Sequence, residues 1–182
     1  LKYYESFLSF GYSDAIVFTN YGSILLDIGN YAYAKFLFLK AIEIEPEYDL
    51  AYYNLGTVLI CLNELHEAEI ILRKSIQLNP KLTKAHYNLS TVLLDFGKFK
   101  EVEILLLKSI ELNPNFVKSY FVLSSLKKYL KNNQWIIFLF SEKIIENKSY
   151  EDLVDIYFAR SNILHGRRNF KESAKYLELA NN

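Results

Sequence analysis

The sequence predicts an all-α fold, a solenoid of about five antiparallel helix pairs preceded by one unpaired helix. Three observations carry this. Pro46, Pro80 and Pro114 recur with a period of 34 residues, and Asn20, Asn54 and Asn88 keep the same period. Small residues recur in register, as Gly22, Gly56 and Ser90 and again as Ala34, Ala68 and Val102. Between the punctuation marks, apolar residues fall at i, i+3, i+4 and i+7, the spacing of one helical face.

Taken in order, residues 1–12 read as the second helix of a truncated repeat, because Tyr4 and Phe7 fall where Phe38 and Ala41 fall one period later. Asp14 is then the N-cap of the next helix. Repeat one, 15–48, carries Phe18, Tyr21, Gly22 and Leu25, breaks at Gly29-Asn30, and continues with Tyr31, Ala34, Phe38 and Ala41 before Pro46. Repeat two, 49–82, carries Tyr52, Leu55, Gly56 and Leu59, then Leu65, Ala68, Leu72 and Ser75. Repeat three, 83–116, carries His86, Leu89, Ser90 and Leu93, then Phe99, Val102, Leu106 and Ser109. Each second helix must stop ahead of its proline, because the ring disfavours helical geometry in the preceding residue.

The domain organisation read this way is a truncated repeat over 1–14, three regular repeats over 15–116, and two degenerate, capping hairpins over 117–182. In the last part Tyr120, Leu123 and Ser124 keep the first-helix pattern, and Trp135, Phe138 and Ile145 belong to a helix without small residues. A final hairpin carries Tyr157, Ser161, Leu164, Phe170, Ser173, Leu177 and Ala180. The expected helices run near 16–28, 31–45, 49–62, 65–78, 83–96, 99–112, 117–130, 134–147, 151–165 and 170–181.

The size pattern has a packing logic. Two helices of a hairpin approach closely only where side chains are small, and large residues between those points fill the gaps. A glycine inside a helix costs about 1 kcal/mol against alanine, so Gly22 and Gly56 are there for close approach.

Composition narrows the function classes. Apolar residues make up 51% of the chain, with 15 Tyr and 13 Phe, ample for a continuous core. Lysine plus arginine balances aspartate plus glutamate at net charge zero, so no global field draws the chain to nucleic acid or to an anionic membrane. The longest apolar run, Trp135–Phe140, is far too short for a membrane span. A single cysteine, Cys61, excludes an internal disulfide and suits a reducing, cytoplasmic compartment. The chain has no Met and opens in mid-pattern at Leu1, which leads to the expectation that it is a piece of a longer protein.

The chemistry-bearing residues point away from catalysis. His66, His86 and His165 are isolated, and no paired histidines, CxxC, phosphate loop or GxSxG occurs, so no metal site, cofactor site or catalytic residue is expected. Arg167, Arg168 and Lys171 form a small basic cluster that reads as an exposed turn, with a phosphate contact as the alternative.

One row of residues points to binding. Asn20, Asn54 and Asn88 hold the same place in successive first helices, followed one turn on by Ser23, Thr57 and Thr91 and preceded by Thr19, Tyr53, Tyr87 and, continuing the row, Phe121. All lie on the helix face away from the packing stripe. An amide donates and accepts at once, so a row of them can hold an extended peptide backbone without reading its sequence, and the rings add apolar contact.

The period, with its small and large positions, resembles the tetratricopeptide repeat (TPR) family. Phe18, Tyr52 and His86 stand where that family prefers Trp, Leu25, Leu59 and Leu93 where it prefers its first Tyr, and Val102 where it prefers Ala. The resemblance implies a right-handed superhelix, and it puts the asparagine row on the concave groove of a protein- or peptide-binding scaffold. The plain alternative is that Tyr-Asn-Leu-Gly is simply common repeat text. The two-lysine clamp with which some TPR cochaperones hold a C-terminal carboxylate is incomplete. Lys84, Lys118 and Asn88 are present, but Thr19 and Ser23 stand where Lys and Asn are needed.

Residues 120–181 also resemble the end of the repeat array in a group of bacterial proteins that continue into a sulfotransferase domain, on the stretches YFVLSSLKKYLKNNQW, LFSEKII and DIYFARSNILHGRRNFKESAKYLELAN. That resemblance implies the alternative function, a non-catalytic, substrate-presenting arm of a larger sulfotransferase or glycosyltransferase. The expected partner is thus a protein or an extended peptide segment, with no nucleic acid and no membrane. Self-association through the truncated ends is a further partner class that the pattern leaves open.

Overall fold

The computed structural model describes residues 14–126 and 134–181. Every regular element among them is an α-helix: α1 (Ala15–Asp27), α2 (Tyr31–Ile44), α3 (Asp49–Cys61), α4 (Leu65–Leu78), α5 (Thr83–Asp95), α6 (Phe99–Leu112), α7 (Val117–Ser125), α8 (Gln134–Leu139), α9 (Tyr150–Gly166) and α10 (Phe170–Asn181). The expected helix over 1–12, with Tyr4 and Phe7, lies outside the described residues. Eight of the ten expected spans match within two residues at each end. The exceptions are 117–130, whose helix ends at Ser125, and 134–147, whose helix ends at Leu139.

The chain forms two compact units, Leu1–Gly97 and Lys98–Asn182, divided in the turn between α5 and α6, inside the third expected repeat. In the first unit α1 packs on α2 and α3 on α4. Each pair packs on the next through α2 against α3 and α4 against α5, and the first helices α1, α3 and α5 touch in succession. In the second unit α7 packs on α6 and α9, α9 packs on α10, and the short α8 touches α9.

The turns explain why the hairpins close alike. Gly29, Asn63, Gly97 and Arg168 all take left-handed backbone angles, with φ of 80°, 60°, 68° and 61°. After three of these turns the next amide reaches back to the last turn of the preceding helix, Asn30 to Leu25, Glu64 to Leu59 and Asn169 to Leu164, at 2.8 to 2.9 Å. This is the Schellman closure, which occupies carbonyls that a helix end leaves open. Arg168 is therefore a turn residue, as the exposed-turn reading expected. At the N-terminal ends, Asp14 Oδ1 accepts from the amides of Ile16 and Val17 at 2.7 and 3.1 Å, and Ser149 Oγ accepts from Asp152 at 3.1 Å.

Between repeats a second device recurs. The Tyr52 hydroxyl donates to the Pro46 carbonyl at 3.1 Å, Tyr120 to Pro114 at 3.0 Å, and His86 Nε2 lies 2.9 Å from the Pro80 carbonyl. A carbonyl only accepts, so Nε2 of His86 carries the proton. His86 is a buried structural histidine tying a first helix to the turn before it.

Close approach by glycine is direct in the first unit. A Cβ on Gly22 would lie 2.6 Å from the Phe38 ring, and one on Gly56 would lie 2.6 Å from Leu72. Ala15, Ala41 and Ala51 form a further tight contact, flanked by Phe18, Ile42 and Tyr48. Where serine replaces these small residues, its hydroxyl finds a partner: Ser75 Oγ donates to the Asp49 carbonyl at 3.1 Å, and Ser90 Oγ to the Tyr87 carbonyl at 2.6 Å.

The second unit departs from the pattern at Arg160, a buried side chain that sequence reasoning passed over. Its Nε donates to the Leu139 carbonyl at 2.8 Å and its Nη2 to the Ser141 carbonyl at 2.9 Å. The guanidinium also lies 5.7 Å from the Phe140 ring centroid and 5.4 Å from that of Tyr176. Carbonyls that would continue α8 as a helix are engaged from outside, so the expected 134–147 helix stops at Leu139. Charge-assisted hydrogen bonds and ring faces replace the water the guanidinium loses.

Candidate binding face of the first helices

The exposed edges of α1, α3 and α5 carry the asparagine row. Asn20 is exposed, while Asn54, Asn88, Tyr53, Tyr87, Thr57, Thr91 and Ser23 are half-buried. Thr19, at the start of the ring row, is buried. The polar part of the face is linked from helix to helix. Asn54 Nδ2 donates to Ser23 Oγ at 3.2 Å, and Asn88 Nδ2 donates to Thr57 Oγ1 at 2.9 Å. Each hydroxyl donates in turn to its own helix, Ser23 to the Thr19 carbonyl at 2.9 Å and Thr57 to the Tyr53 carbonyl at 3.0 Å. Thr91 Oγ1 donates to the Asn88 carbonyl at 2.7 Å.

Burial pushes the Tyr53 phenol above its usual range, against the opposing effect of hydrogen bonding to Thr57 and Asn88. The ring thus stands over the linked pair as a neutral phenol. Apolar side chains flank the row: Ile16 is 53% exposed and Leu50 is 40% exposed. Behind the face, Lys35 on α2 pairs with Glu64 and, at 3.6 Å, with Glu67 at the start of α4, which joins successive second helices.

Phe121 belongs to the second unit, on α7. It is 37% exposed, and its ring lies 6.3 Å from that of Phe158 on α9. The second unit repeats the amide–hydroxyl link with other residues. Asn162 Nδ2 donates to Ser124 Oγ at 3.1 Å, and Ser124 Oγ donates to the Phe121 carbonyl at 2.7 Å. Asp155 on α9 is held above the usual carboxylate range by burial, which the charge of Lys118 opposes and those of Asp152 and Glu151 reinforce.

This arrangement offers hydrogen bonds and apolar contact. Among the described residues no group of three His, Cys, Asp or Glu side chains could hold a metal ion, and no helix is long and apolar enough to cross a membrane. Sequence reasoning found the asparagine row from its period. It missed the link between rows, because nothing in the linear text says that the hydroxyl one turn after one asparagine meets the next asparagine.

Family models described as tetratricopeptide repeats match residues 15–48, 37–70 and 83–116, so the chain contains tetratricopeptide repeats. No curated protein sequence matches significantly. Among solved structures, the chain is similar to YrrB, described as a TPR protein with an unusual peptide-binding site, with a TM-score of 0.70 and 19% identity over 97% of this chain and 90% of that one. It is similar to MamA with a TM-score of 0.63 and 19% identity over 96% of this chain and 85% of that one. The first TPR of Spaghetti (RPAP3), bound to the HSP90 peptide SRMEEVD, gives a TM-score of 0.58 and 22% identity over 60% of this chain and 86% of that one. At these identities the likeness is one of fold.

Proposed function

We propose that this array of tetratricopeptide repeats is a non-catalytic scaffold that binds an extended peptide or an unstructured protein segment in a cytoplasmic setting. The observation that carries the reading is the accessible face of α1, α3 and α5. There Asn20, Asn54 and Asn88 stand beside Tyr53 and Tyr87, with the exposed Ile16 and Leu50 alongside. Amides supply backbone hydrogen bonds at each repeat, rings and aliphatic side chains supply contact area, and no dominant charge selects one sequence. Phe121, paired with Phe158, supplies the aromatic contact of the second unit. The peptide bound by the Spaghetti domain and the peptide-binding site described for YrrB support the reading.

Affinity should be modest, because ordering a flexible ligand consumes much of the interaction energy. The test is an array of 15-residue peptides of varied sequence, with fluorescence anisotropy on the binders. Many sequences should bind, and SRMEEVD should not stand out, since Thr19 and Ser23 replace the clamp residues. Changing Tyr53 and Tyr87 together to alanine should weaken binding at least tenfold. A wild-type chain that binds no peptide in the array, or binders indifferent to the Tyr53/Tyr87 variant, would sink the proposal.

A further inference from the structure

The amide–hydroxyl links have a direction, and the direction follows from hydrogen-bond inventory. A serine or threonine hydroxyl has one proton to give. Ser23 gives its proton to the Thr19 carbonyl, Thr57 to the Tyr53 carbonyl and Ser124 to the Phe121 carbonyl. Each oxygen therefore has only lone pairs left for its neighbour on the next first helix. The side chain that meets it must come with a proton, so the amide nitrogen of Asn54, Asn88 and Asn162 faces the hydroxyl. Amide nitrogen and oxygen lie on opposite prongs of one planar group, and fixing the nitrogen inward turns the oxygen away. None of the three Oδ1 atoms receives a hydrogen bond among the described residues, and none is a buried unpaired atom, so all three reach solvent.

The link occurs three times, and not by simple repetition of the sequence. Two links join an asparagine to a hydroxyl 31 residues earlier, and the third joins residues 38 apart, with the hydroxyl bonded to the carbonyl three rather than four residues back. Different residues in a different register rebuild the same polarity: carbonyl, hydroxyl, amide nitrogen, open amide oxygen.

We propose that Ser23, Thr57 and Ser124 are positioning residues. Each locks the amide of the following first helix with its carbonyl oxygen outward, so that within each unit the first helices present fixed acceptors to the backbone N–H groups of an extended peptide. This rests on the peptide-binding reading above and deepens it. Thr57 acts behind the ligand rather than on it. An extended strand alternates N–H and C=O along each edge, and a fixed acceptor selects the N–H phase. A ligand residue without an N–H, such as proline or an N-methylated residue, is rejected opposite a rung.

The experiment uses the full chain, labelled with 15N, and the pair Thr57→Val and Thr57→Ser. Valine keeps the shape and loses the hydroxyl, whereas serine keeps the hydroxyl. In the wild type one of the two Nδ2 protons of Asn88 should be shielded from exchange with water. In a Tyr53→Phe background, where the phenol no longer reaches Asn88, Thr57→Val should abolish that shielding at Asn88 and leave it at Asn54, and Thr57→Ser should restore it. The tightest peptide from the array above, N-methylated one residue at a time, is the second probe. Methylation opposite a rung should weaken wild-type binding about tenfold, the size of one hydrogen bond. Thr57→Val should bind the parent peptide more weakly and lose that penalty at a single residue, with Thr57→Ser again restoring both. Unchanged shielding of Asn88 when Thr57→Val is made in the Tyr53→Phe background overturns the positioning of the amides. An unchanged N-methyl profile in that variant overturns its consequence for the ligand. If no array peptide binds the wild type, the groove reading falls with that consequence, while the exchange data alone still decide the positioning.

Discussion

In the first unit, helices of a hairpin meet through absence of side chain: Gly22 lies under Phe38 and Gly56 under Leu72. In the second unit the same place, counted back from the left-handed turn residue, is held by Ser161, whose hydroxyl lies 2.8 Å from that of Ser173. One residue before it, where the first unit has the buried Leu55, stands the buried Arg160. The α1–α2 and α3–α4 contacts at this place are specified by shape, and the α9–α10 contact by satisfied polar groups. Shape is generic to any repeat in an array and can be copied from one to the next. A buried guanidinium demands particular carbonyls and rings, so it fixes one local structure and ends the regularity.

The largest effect should come from breaking the shape side of this contrast. Leu72→Ala leaves a cavity under Gly56 and should cost roughly 2–5 kcal/mol, read from the urea midpoint by circular dichroism. Gly56→Ala pushes a methyl group into Leu72 and should cost about 1–3 kcal/mol. The double variant should be more stable than the sum of the two predicts, because the alanine at 72 vacates the space the new Cβ needs. Strict additivity would show that the two residues do not form the contact.

Arg160→Leu tests the polar side. Two of the three regular repeats have leucine here, Leu55 and Leu89, so a shape-only account expects stabilisation. With the donors gone, the Leu139 and Ser141 carbonyls lose their partners, and the expected result is a loss of about 1–3 kcal/mol for each buried carbonyl left unmet. Trp135, the single tryptophan, lies in this unit, so its fluorescence reports the loss there.

A smaller effect separates structural from exposed asparagines. Asn54→Ala and Asn88→Ala each remove a bridge between first helices and should cost about 0.5–1.5 kcal/mol. Asn20→Ala, with an exposed side chain, should stay within about 0.5 kcal/mol of wild type. Equal effects at all three positions would mean that the bridges contribute nothing.

At neutral pH Tyr120→Phe has a small effect, the loss of one hydrogen bond to Pro114. Its signature is in alkali. Burial raises the Tyr120 phenol well above its ordinary value, so the folded state keeps the proton where the unfolded chain gives it up. The stability tied to this group is fully present below about pH 10 and is lost as pH rises beyond it. The wild type should therefore lose stability above that pH more steeply than Tyr120→Phe, and parallel curves would refute the assignment.

Much of this was legible in the residue text. The 34-residue period, the helix spans through residue 112, the small sites at Gly22 and Gly56 and the turn at Gly29 all follow from patterns that local geometry enforces. A helix repeats every 3.6 residues wherever it is, so a periodic apolar face is visible without knowing what it packs against. The asparagine row was legible for the same reason. The resemblance of 120–181 to arms that precede a sulfotransferase had only residue texture behind it, and the comparisons do not extend to that reading.

Tertiary structure decided who partners whom. Nothing in the text of α9 says that Arg160 will meet the carbonyls after α8 and shorten that helix, because the match depends on which backbone ends are brought within reach. Nothing near Asn54 or Asn88 says that its amide nitrogen meets the hydroxyl of Ser23 or Thr57 in the preceding repeat. Apolar burial is non-directional and accumulates over a whole face, so sequence period alone can announce it. A hydrogen bond needs one donor and one acceptor within about 3 Å and correctly aimed, and only the assembled fold sets that distance.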